Sequence, residues 1–238
     1  MVWCLTGCMG SGKTTVGRLV ALAVEGGSPS EERATLGAVR GGTTQQSGVV
    51  GPNGSEAAEE GFPPATDPQP FSFIDLDSFI EQQQGRKVQE IFAKQGEAAF
   101  RKMELEALQE AISSYEGGTL LIALGGGTLM TPECRELVRL CSHCIYLRAS
   151  AKTLAARLQG ACDASGRSAA DCQASEQPDA IASRPLLAGP GSLEAKLAAL
   201  LAVRGPIYES SSQHIIDTDS LSPSAVASEV LRFIGGSK

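Results

Sequence analysis

The strongest constraint on this chain is a glycine-rich segment, Gly7-Cys-Met-Gly10-Ser-Gly12-Lys13-Thr14, which fits the phosphate-binding pattern G-x-x-x-x-G-K-[ST]. It lies between an apolar strand predicted at Val2–Thr6 and a helix predicted at Lys13–Val24, which is the context that this motif requires. Its glycines let backbone N–H groups turn inward around phosphate oxygens, and the helix N-terminus adds its partial positive charge. The segment therefore predicts that the chain binds a nucleoside triphosphate.

Individual residues of this phosphate loop have predicted roles. Lys13 neutralises charge on the β- and γ-phosphates, and the Thr14 hydroxyl is a ligand for Mg²⁺, the expected cofactor. The nucleotide-binding residues predicted here are Gly10, Ser11, Gly12, Lys13, Thr14 and Thr15. The alternative, a glycine-rich turn that binds nothing, is disfavoured by the strand before the loop and the helix after it.

Beyond the loop, short apolar strands alternate with helices. Strands are predicted at Phe71–Ile74, Thr119–Leu124, Cys144–Leu147 and His214–Ile216. Helices are predicted at Glu97–Tyr115, Pro132 to about Leu140, Ala151–Leu158, Ser192–Val203 and Pro223–Ile234. This order predicts an α/β fold, a three-layer α/β/α sandwich around a parallel sheet of about five strands. Ligands are then expected at the carboxyl ends of the strands.

Two segments interrupt the alternation. Glu25–Pro70 spans 46 residues with nine glycines, six prolines and one aromatic residue, and it shows no sustained helical or strand periodicity. Ala161–Ser183 spans 23 residues and contains one branched aliphatic residue, Ile181. Such segments bury too little apolar area to offset the entropy of ordering their backbone, so we expect Glu25–Pro70 to be a disordered insert. The remaining 169 residues are enough for one domain, so 1–238 is predicted to be a single interrupted domain.

The two inserts also carry the negative charge of the chain. The formal net charge is −7, of which Glu25–Pro70 contributes −5 and Ala161–Ser183 contributes −3, leaving the core at +1. An acidic chain argues against a nucleic-acid partner, and no apolar run reaches the roughly 18–20 residues of a membrane span. The first residues lack the basic segment and cleavage site of a secretory signal, so a cytoplasmic protein with reduced cysteines is expected.

Asp75-Leu76-Asp77 follows the strand predicted at Phe71–Ile74 and is a candidate acceptor site. Residues two apart point the same way from an extended segment, so both carboxylates are expected on the side of the phosphate loop. One carboxylate can organise Mg²⁺ while the other takes a proton from an acceptor hydroxyl. A solvated strand end or a helix cap explains this motif equally well on its own.

Arg101 and Glu104 lie three apart on the predicted helix Glu97–Tyr115. They are expected on a face away from the apolar stripe of that helix, which contains Leu105, Leu108 and Ile112. An arginine beside a phosphoryl-transfer site suggests a carboxylate on the substrate, because its planar fork binds one bidentately.

Three further motifs follow along the chain. Gly125–Gly127 permits close backbone approach to a ligand. Arg184-Pro-Leu-Leu187 comes directly after the second insert, and Arg204-Gly-Pro-Ile-Tyr208 is predicted to end a helix. Each arginine taken alone is most simply a solvated surface residue.

Taken together, these segments resemble the shikimate kinase family. The matching features are the Gly7–Thr14 loop, Asp75-Leu-Asp77, Gly96-Glu-Ala-Ala-Phe-Arg101-Lys-Met-Glu104, Leu124-Gly-Gly-Gly127, Arg184-Pro-Leu-Leu187, Arg204-Gly-Pro-Ile-Tyr208, and Asp217-Thr218 with Ser222-Pro223. The resemblance covers the 169-residue core in order, and the motifs are specific as a set although no single one is. It implies a P-loop kinase fold with a lid, and transfer of the ATP γ-phosphoryl group to the 3-hydroxyl of shikimate in the chorismate pathway of aromatic amino-acid biosynthesis.

The resemblance also implies residue roles. Asp77 would bind the acceptor hydroxyl and act as base, and Asp75 would hold Mg²⁺ through water. Arg101 and Arg204 would grip the shikimate carboxylate, and Arg184 would be the lid arginine that closes on the transferring phosphate. The pocket would be completed by Glu104, Gly125, Gly126, Gly127, Phe92 and Phe100. Lys13, Asp77 and Arg184 would then be catalytic, with ATP and shikimate as the partners of a monomeric enzyme.

Two other functions remain open from the sequence. One is a different small-metabolite kinase of the P-loop group, such as a gluconate kinase, which Arg101, Arg204 and the three glycines disfavour. The other is a catalytically silent module that binds nucleotide or a partner. The presence of Lys13, Asp77, Arg101 and Arg184 together argues against a silent module.

The cysteines and the second insert raise further questions. Cys8, if exposed, would lie near the triphosphate, which suggests inactivation by thiol reagents that ATP prevents. Cys141-Ser-His-Cys144 is interpreted as thiols at a helix end and a strand start, because no second pair completes a metal site. The insert Ala161–Ser183 falls within the lid, just before Arg184, and we expect folding to tolerate both inserts.

Overall fold

The computed structural model describes residues 1–25, 70–160 and 191–236. Within these ranges five parallel strands form one sheet in the order β2-β3-β1-β4-β5. The strands are β1 (Val2–Thr6), β2 (Phe71–Asp75), β3 (Thr119–Ala123), β4 (His143–Arg148) and β5 (His214–Asp217). The predicted strands and their parallel arrangement are confirmed.

Helices connect these strands as the alternation predicts. They are α1 (Lys13–Val24), α2 (Leu76–Gln84), α3 (Val88–Ser113), α4 (Pro132–Cys141), α5 (Ala151–Leu158), α6 (Leu193–Ser211) and α7 (Pro223–Gly236), with a 3₁₀ turn at Thr128–Met130. Helices α1 and α5 have the bounds predicted from the sequence. None of the helices in these ranges combines the length and apolar character needed to cross a membrane.

The core lies on both faces of the sheet. Alternate residues of β1 point to opposite faces, so Trp3 and Leu5 pack with α1 and α7, whereas Cys4 packs with α3, α4 and α6. Each of these three side chains is completely buried. The three-layer α/β/α arrangement is therefore confirmed.

The predicted extended conformation of Asp75-Leu76-Asp77 is wrong, and the alternative of a helix cap is confirmed for Asp75. Asp75 ends β2 and is the N-cap of α2, where its side chain accepts a hydrogen bond from the Ser78 N–H. Asp77 lies in the first turn of that helix. The carboxylate of an N-cap residue satisfies one of the N–H groups that a helix start leaves unpaired, so the helix begins immediately at the end of the strand.

The predicted orientation of Glu104 on α3 is also wrong. Glu104 is 1% exposed and shares the buried face of α3 with Leu108, since residues four apart lie on the same side of a helix. A kink at Gly96 divides α3, and the helix predicted from Glu97 corresponds to its second part. Burial of a carboxylate requires polar partners, and the site below supplies them.

Helix α6 extends further than predicted. The sequence predicts an end near Val203, but α6 continues through Pro206 to Ser211. Proline removes one helical hydrogen bond. Leu197, Arg204 and Tyr208 are buried along one side of the helix, and this packing outweighs that loss.

The predictions for the two inserts concern residues that, apart from Glu25 and Pro70, lie outside the described ranges. The single interrupted domain stays a prediction. Arg184, the proposed lid arginine, also lies outside these ranges.

Helix α1 is positioned against β2 by Gly17. A methyl group added at Gly17 would collide with the ring of Phe73 in β2. This close approach brings the N-terminus of α1, with Lys13 and Thr14, to the end of β2.

Gly17→Ala is therefore expected to lower the free energy of unfolding by about 1–3 kcal/mol, since the Phe73 ring must move. Glycine-to-alanine changes within helices usually stabilise by about 0.5–1 kcal/mol, so the sign is diagnostic. Urea denaturation measures the change. Gly235→Ala in α7 is the control, because a methyl group there meets no described atom within 4 Å. Unchanged or increased stability of Gly17→Ala would contradict the packing of α1 on β2.

Candidate active site

The phosphate loop connects β1 to α1 at the centre of the sheet. Gly10 and Gly12 have φ angles of 78° and 89°, which glycine adopts without steric cost. The Lys13 ammonium donates hydrogen bonds to the carbonyls of Gly7 (2.9 Å) and Cys8 (3.0 Å), so it lies over the loop. The Ser11 hydroxyl is buried and has no hydrogen-bond partner among the described residues, as expected of a group that binds a phosphate oxygen.

Thr14 and Asp75 form the candidate magnesium site. The Thr14 hydroxyl donates to a carboxylate oxygen of Asp75 at 2.5 Å, which joins the start of α1 to the end of β2. Magnesium in proteins takes oxygen ligands, usually one or two carboxylates together with phosphate oxygens and water. The oxygens of Thr14 and Asp75, next to the phosphate loop, fit Mg²⁺.

Asp77 lies between the phosphate loop and the helices that carry the other candidate residues. Loss of hydration, followed by repulsion from the Asp75 and Glu104 carboxylates, raises the pKa of Asp77 to about 7, although Lys13 acts in the opposite direction. By surface area Asp77 is an exposed residue, so water screens part of this effect. A carboxyl group with this pKa exchanges its proton near neutral pH.

Arg101 and Glu104 form a buried ion pair on α3. One Arg101 nitrogen donates to Glu104, and the other edge of the guanidinium donates to Glu97 at 2.9 and 3.3 Å. The second Glu104 oxygen accepts from the Thr128 hydroxyl at 2.7 Å. Burial raises the pKa of Glu104, while Arg101 and Thr128 lower it by stabilising the charged form. These partners explain how the carboxylate is accommodated in the core.

Gly125, Gly126 and Gly127, the triple glycine, follow β3 and touch every part of the site. A Cβ atom at Gly125 would lie 2.7 Å from a Glu104 oxygen and 2.8 Å from an Asp77 oxygen. At Gly127 it would collide with the Arg101 guanidinium. The absence of side chains therefore allows these charged groups to approach the backbone.

Arg204 and Tyr208 contact the same loop from α6. Arg204 donates to the Gly126 carbonyl at 3.0 Å, and the Tyr208 hydroxyl donates to the same oxygen. Both residues are buried. Arg101 and Arg204 thus flank the triple glycine, each in contact with a different residue of it.

Two aromatic residues lie beside Arg101. The ring centroids of Phe92 and Phe100 are 4.5 Å apart, and Phe100 is 3% exposed. The guanidinium carbon of Arg101 is 5.9 Å from the Phe100 ring centroid. This arrangement fits the predicted apolar wall of a ring-binding pocket.

Near the end of β5, Thr218 is held by Arg157 of α5. Arg157 donates to the Thr218 hydroxyl at 3.1 Å and to its carbonyl at 2.5 Å. Asp217 pairs with Arg148 through both carboxylate oxygens. These contacts order the Asp217-Thr218 segment, which the resemblance places on the adenine side.

The sequence alone assigns no role to several of these residues. Thr128 and Arg157 act through hydrogen bonds to partners far along the chain, which no local pattern reveals. Glu97 had a usable signal, because its spacing of four from Arg101 is that of an ion pair on one helix face. Tyr208 had one usable signal, its spacing of four from Arg204. That signal required the continuation of α6 through Pro206 to be recognised.

Cys8 and Cys144 are both buried, which is not the position expected of a reactive thiol. Cys8 is 2% exposed, so the condition for the proposed inactivation by thiol reagents is not met. Cys144 is buried in β4, and burial raises the pKa of its thiol to about 12. Cys144 therefore matches the predicted thiol at a strand start.

The fold and the arrangement of these groups define a P-loop kinase. A sequence model described as shikimate kinase matches residues 68–235. Shikimate kinase from Symbiobacterium thermophilum is 30% identical over 227 residues, covering 95% of this chain and 92% of that protein. Shikimate kinase from Chlorobaculum parvum is 34% identical over 171 residues, covering 69% of this chain and 79% of that protein. The chain belongs to the shikimate kinase family, whose members are ATP-dependent phosphotransferases.

Solved structures support the fold assignment. Shikimate kinase from Acinetobacter baumannii in complex with shikimate has a TM-score of 0.64 with 24% sequence identity, covering 100% of this chain and 94% of that chain. The structure from Bacteroides thetaiotaomicron has a TM-score of 0.63 with 22% identity, covering 99% of this chain and 98% of that chain. The sequence prediction of a shikimate-kinase-type phosphotransferase is confirmed at the level of family, fold and activity.

Asp77→Asn is expected to stabilise the ligand-free protein at pH 8. The folded protein holds the Asp77 proton more tightly than the unfolded chain, whose carboxyl pKa is 3.8, so stability falls as pH rises from about 4 to about 7. Asparagine has nearly the shape of aspartate but does not ionise, so the variant does not lose this stability as the pH rises. Thermal unfolding should show a higher melting temperature than wild type at pH 8, with the difference shrinking toward pH 4. A lower melting temperature at pH 8 would show that the Asp77 carboxylate is not under strain.

Proposed function

We propose that this member of the family transfers the γ-phosphoryl group of ATP to the 3-hydroxyl of shikimate, with Asp77 as the general base. The observation that carries this proposal is the position of Asp77. It lies within electrostatic reach of Lys13 on the nucleotide side, and its carboxylate and that of Glu104 both approach Gly125 on the other side. A group between a phosphate loop and an arginine-lined pocket is placed to act on an acceptor hydroxyl.

The nucleotide side supplies positioning and charge neutralisation, which phosphoryl transfer needs more than covalent chemistry. The N-terminus of α1 and the backbone of Gly10, Ser11 and Gly12 bind the phosphates, with Thr15 following on the same helix start. Lys13 neutralises the β- and γ-phosphates. Thr14 and Asp75 would hold Mg²⁺, which when bound adds positive charge beside the same oxygens.

Asp77 would accept the hydroxyl proton as the acceptor oxygen attacks phosphorus. A base is most effective when its pKa lies close to the working pH, because it is then ionised and still able to take a proton. The raised pKa of Asp77, about 7, meets this condition. Asp75 and Glu104 are the neighbouring carboxylates that produce the repulsive part of the shift.

The substrate carboxylate would bind between Arg101 and Arg204. Two guanidinium groups flanking the triple glycine offer charge-assisted hydrogen bonds to an anion. Glu104 and Glu97 orient Arg101, so the geometry of its remaining N–H groups is set before substrate arrives. Phe92 and Phe100 would cover one side of the cyclohexene ring.

The remaining assignments follow from the family. Arg184 would approach the transferring phosphate from the lid, and the insert Ala161–Ser183 would lengthen that lid. We also propose that the chain works as a single interrupted domain, a cytoplasmic monomer with ATP and shikimate as its ligands. In the sequence, the insert Glu25–Pro70 lies between α1 and β2 and is distant from the triple glycine.

The first test is an ATP-consumption assay with and without shikimate, using wild type and Asp77→Asn. Wild type should consume ATP only when shikimate is present, and the variant should lose at least about a hundredfold in kcat, as expected when a general base is removed. Gluconate serves as the alternative acceptor. Turnover with gluconate but not shikimate would overturn the substrate assignment, and no turnover with either would favour a silent module.

Arg101→Lys should raise the KM for shikimate by about ten- to a hundredfold while kcat changes less. Lysine keeps the charge beside Glu104 but loses the planar fork that binds a carboxylate bidentately. Lys102→Arg is the matched control, because Lys102 is 78% exposed and pairs with Glu106 on the outer face of α3. Steady-state kinetics at saturating ATP measure both. An unchanged KM in Arg101→Lys would remove Arg101 from the carboxylate site.

A further inference from the structure

We propose that Tyr208 is a positioning residue for the transfer reaction, because its phenol holds Arg204 and the Gly126 carbonyl in place against the phosphate loop. The inference rests on the proposed function, in which Arg204 binds the substrate carboxylate. Tyr208 itself touches neither substrate nor nucleotide in this account. It acts through its two partners.

Arg204, Tyr208 and the Gly126 carbonyl form a triangle of neighbouring groups. The Tyr208 hydroxyl donates to the Gly126 carbonyl, and Arg204 donates to the same carbonyl at 3.0 Å. Arg204 and Tyr208 are four apart on α6, so both side chains leave the same face of the helix. Loss of the phenol oxygen would remove one of the two donors that fix the Gly126 carbonyl, the acceptor that anchors Arg204.

The triangle lies against the phosphate loop. A Cβ atom at Gly126 would be in van der Waals contact with the loop, 3.5 Å from the Met9 nitrogen and 3.6 Å from the Gly7 oxygen. A shift of the Gly126 carbonyl would therefore move backbone that lies next to the nucleotide-binding segment. The position of Gly126 therefore affects the binding of both ATP and shikimate, whereas the position of Arg204 affects only the binding of the shikimate carboxylate.

The phenol is a permanent donor. Tyr208 is completely buried, and its ring lies 5.2 Å from that of Tyr146. Burial and the nearby Cys8 thiol raise the pKa of Tyr208, so it remains protonated throughout the working range of the enzyme. Within the described residues, no other hydroxyl contacts the Gly126 oxygen.

Tyr146 offers a matched control. It is the other ring of the aromatic pair and is 2% exposed, yet its hydroxyl makes no hydrogen bond to the triple glycine in the described structure. Tyr146→Phe and Tyr208→Phe therefore remove the same atom from the same aromatic contact. They differ in whether the Gly126 carbonyl loses a donor.

The experiment compares steady-state kinetics of wild type, Tyr208→Phe and Tyr146→Phe, with thermal unfolding of each. Loss of the buried hydrogen bond that fixes the Gly126 carbonyl, the acceptor for Arg204, should raise the KM for shikimate about tenfold in Tyr208→Phe, with a smaller change in kcat. Tyr146→Phe should match wild type in both constants. The Tyr208→Phe change should raise the KM less in an Arg204→Lys protein than in wild type. The guanidinium fork that Tyr208 orients is already absent from the Arg204→Lys protein.

The outcomes separate this inference from the proposed function. If wild type fails to phosphorylate shikimate, the proposed function is wrong. If wild type is active and Tyr208→Phe has wild-type constants, the positioning role is wrong. Equal effects of the two phenylalanine variants, full additivity with Arg204→Lys, or failure of Tyr208→Phe to fold would each assign the hydroxyl to structure rather than positioning.

Discussion

The active site depends on a turn made of three glycines, whose backbone carries no side chains. Gly125, Gly126 and Gly127 each face a different group: the Asp77 and Glu104 carboxylates, the phosphate loop, and the Arg101 guanidinium. At Gly125 and Gly127 the turn after β3 can lie among the charged groups because no Cβ atom fills the space. Since β3 is hydrogen-bonded between β1 and β2, the same sheet register that brings the phosphate loop to Asp75 also inserts this turn between them.

Charge is organised around that turn at a cost in stability. Asp75, Asp77 and Glu104 are neighbouring carboxylates; Arg101 pairs with Glu104, and Lys13 lies within electrostatic reach of Asp77. Glu104 is stabilised by Arg101 and Thr128, and Asp75 by the first turn of α2 and by Thr14. Loss of hydration, together with repulsion from Asp75 and Glu104, raises the pKa of Asp77, so its proton is held to higher pH. Strain of this kind is characteristic of catalytic groups, whose environment shifts the pKa toward the working pH.

Much of this could be predicted from sequence, with limits that have physical causes. The phosphate loop, the strands and the two-sided core follow from local patterns of glycine and apolar residues. The Asp75-Leu-Asp77 motif fits both an extended segment and a helix cap, and only the structure shows that the Asp75 carboxylate caps a helix. The burial of Glu104 was missed because its partner Thr128 lies on another element. Tyr208 was overlooked because Pro206 suggested a helix end that tertiary packing overrides.

The central claim is that the fold assembles these carboxylates around Asp77 before any ligand binds. The most direct test is a ¹³C NMR titration of the carboxyl groups in the ligand-free protein, with the Asp77 resonance identified by its loss in Asp77→Asn. The account predicts an inflection near pH 7 for Asp77. An inflection near 4, the ordinary value for an exposed aspartate, would contradict it.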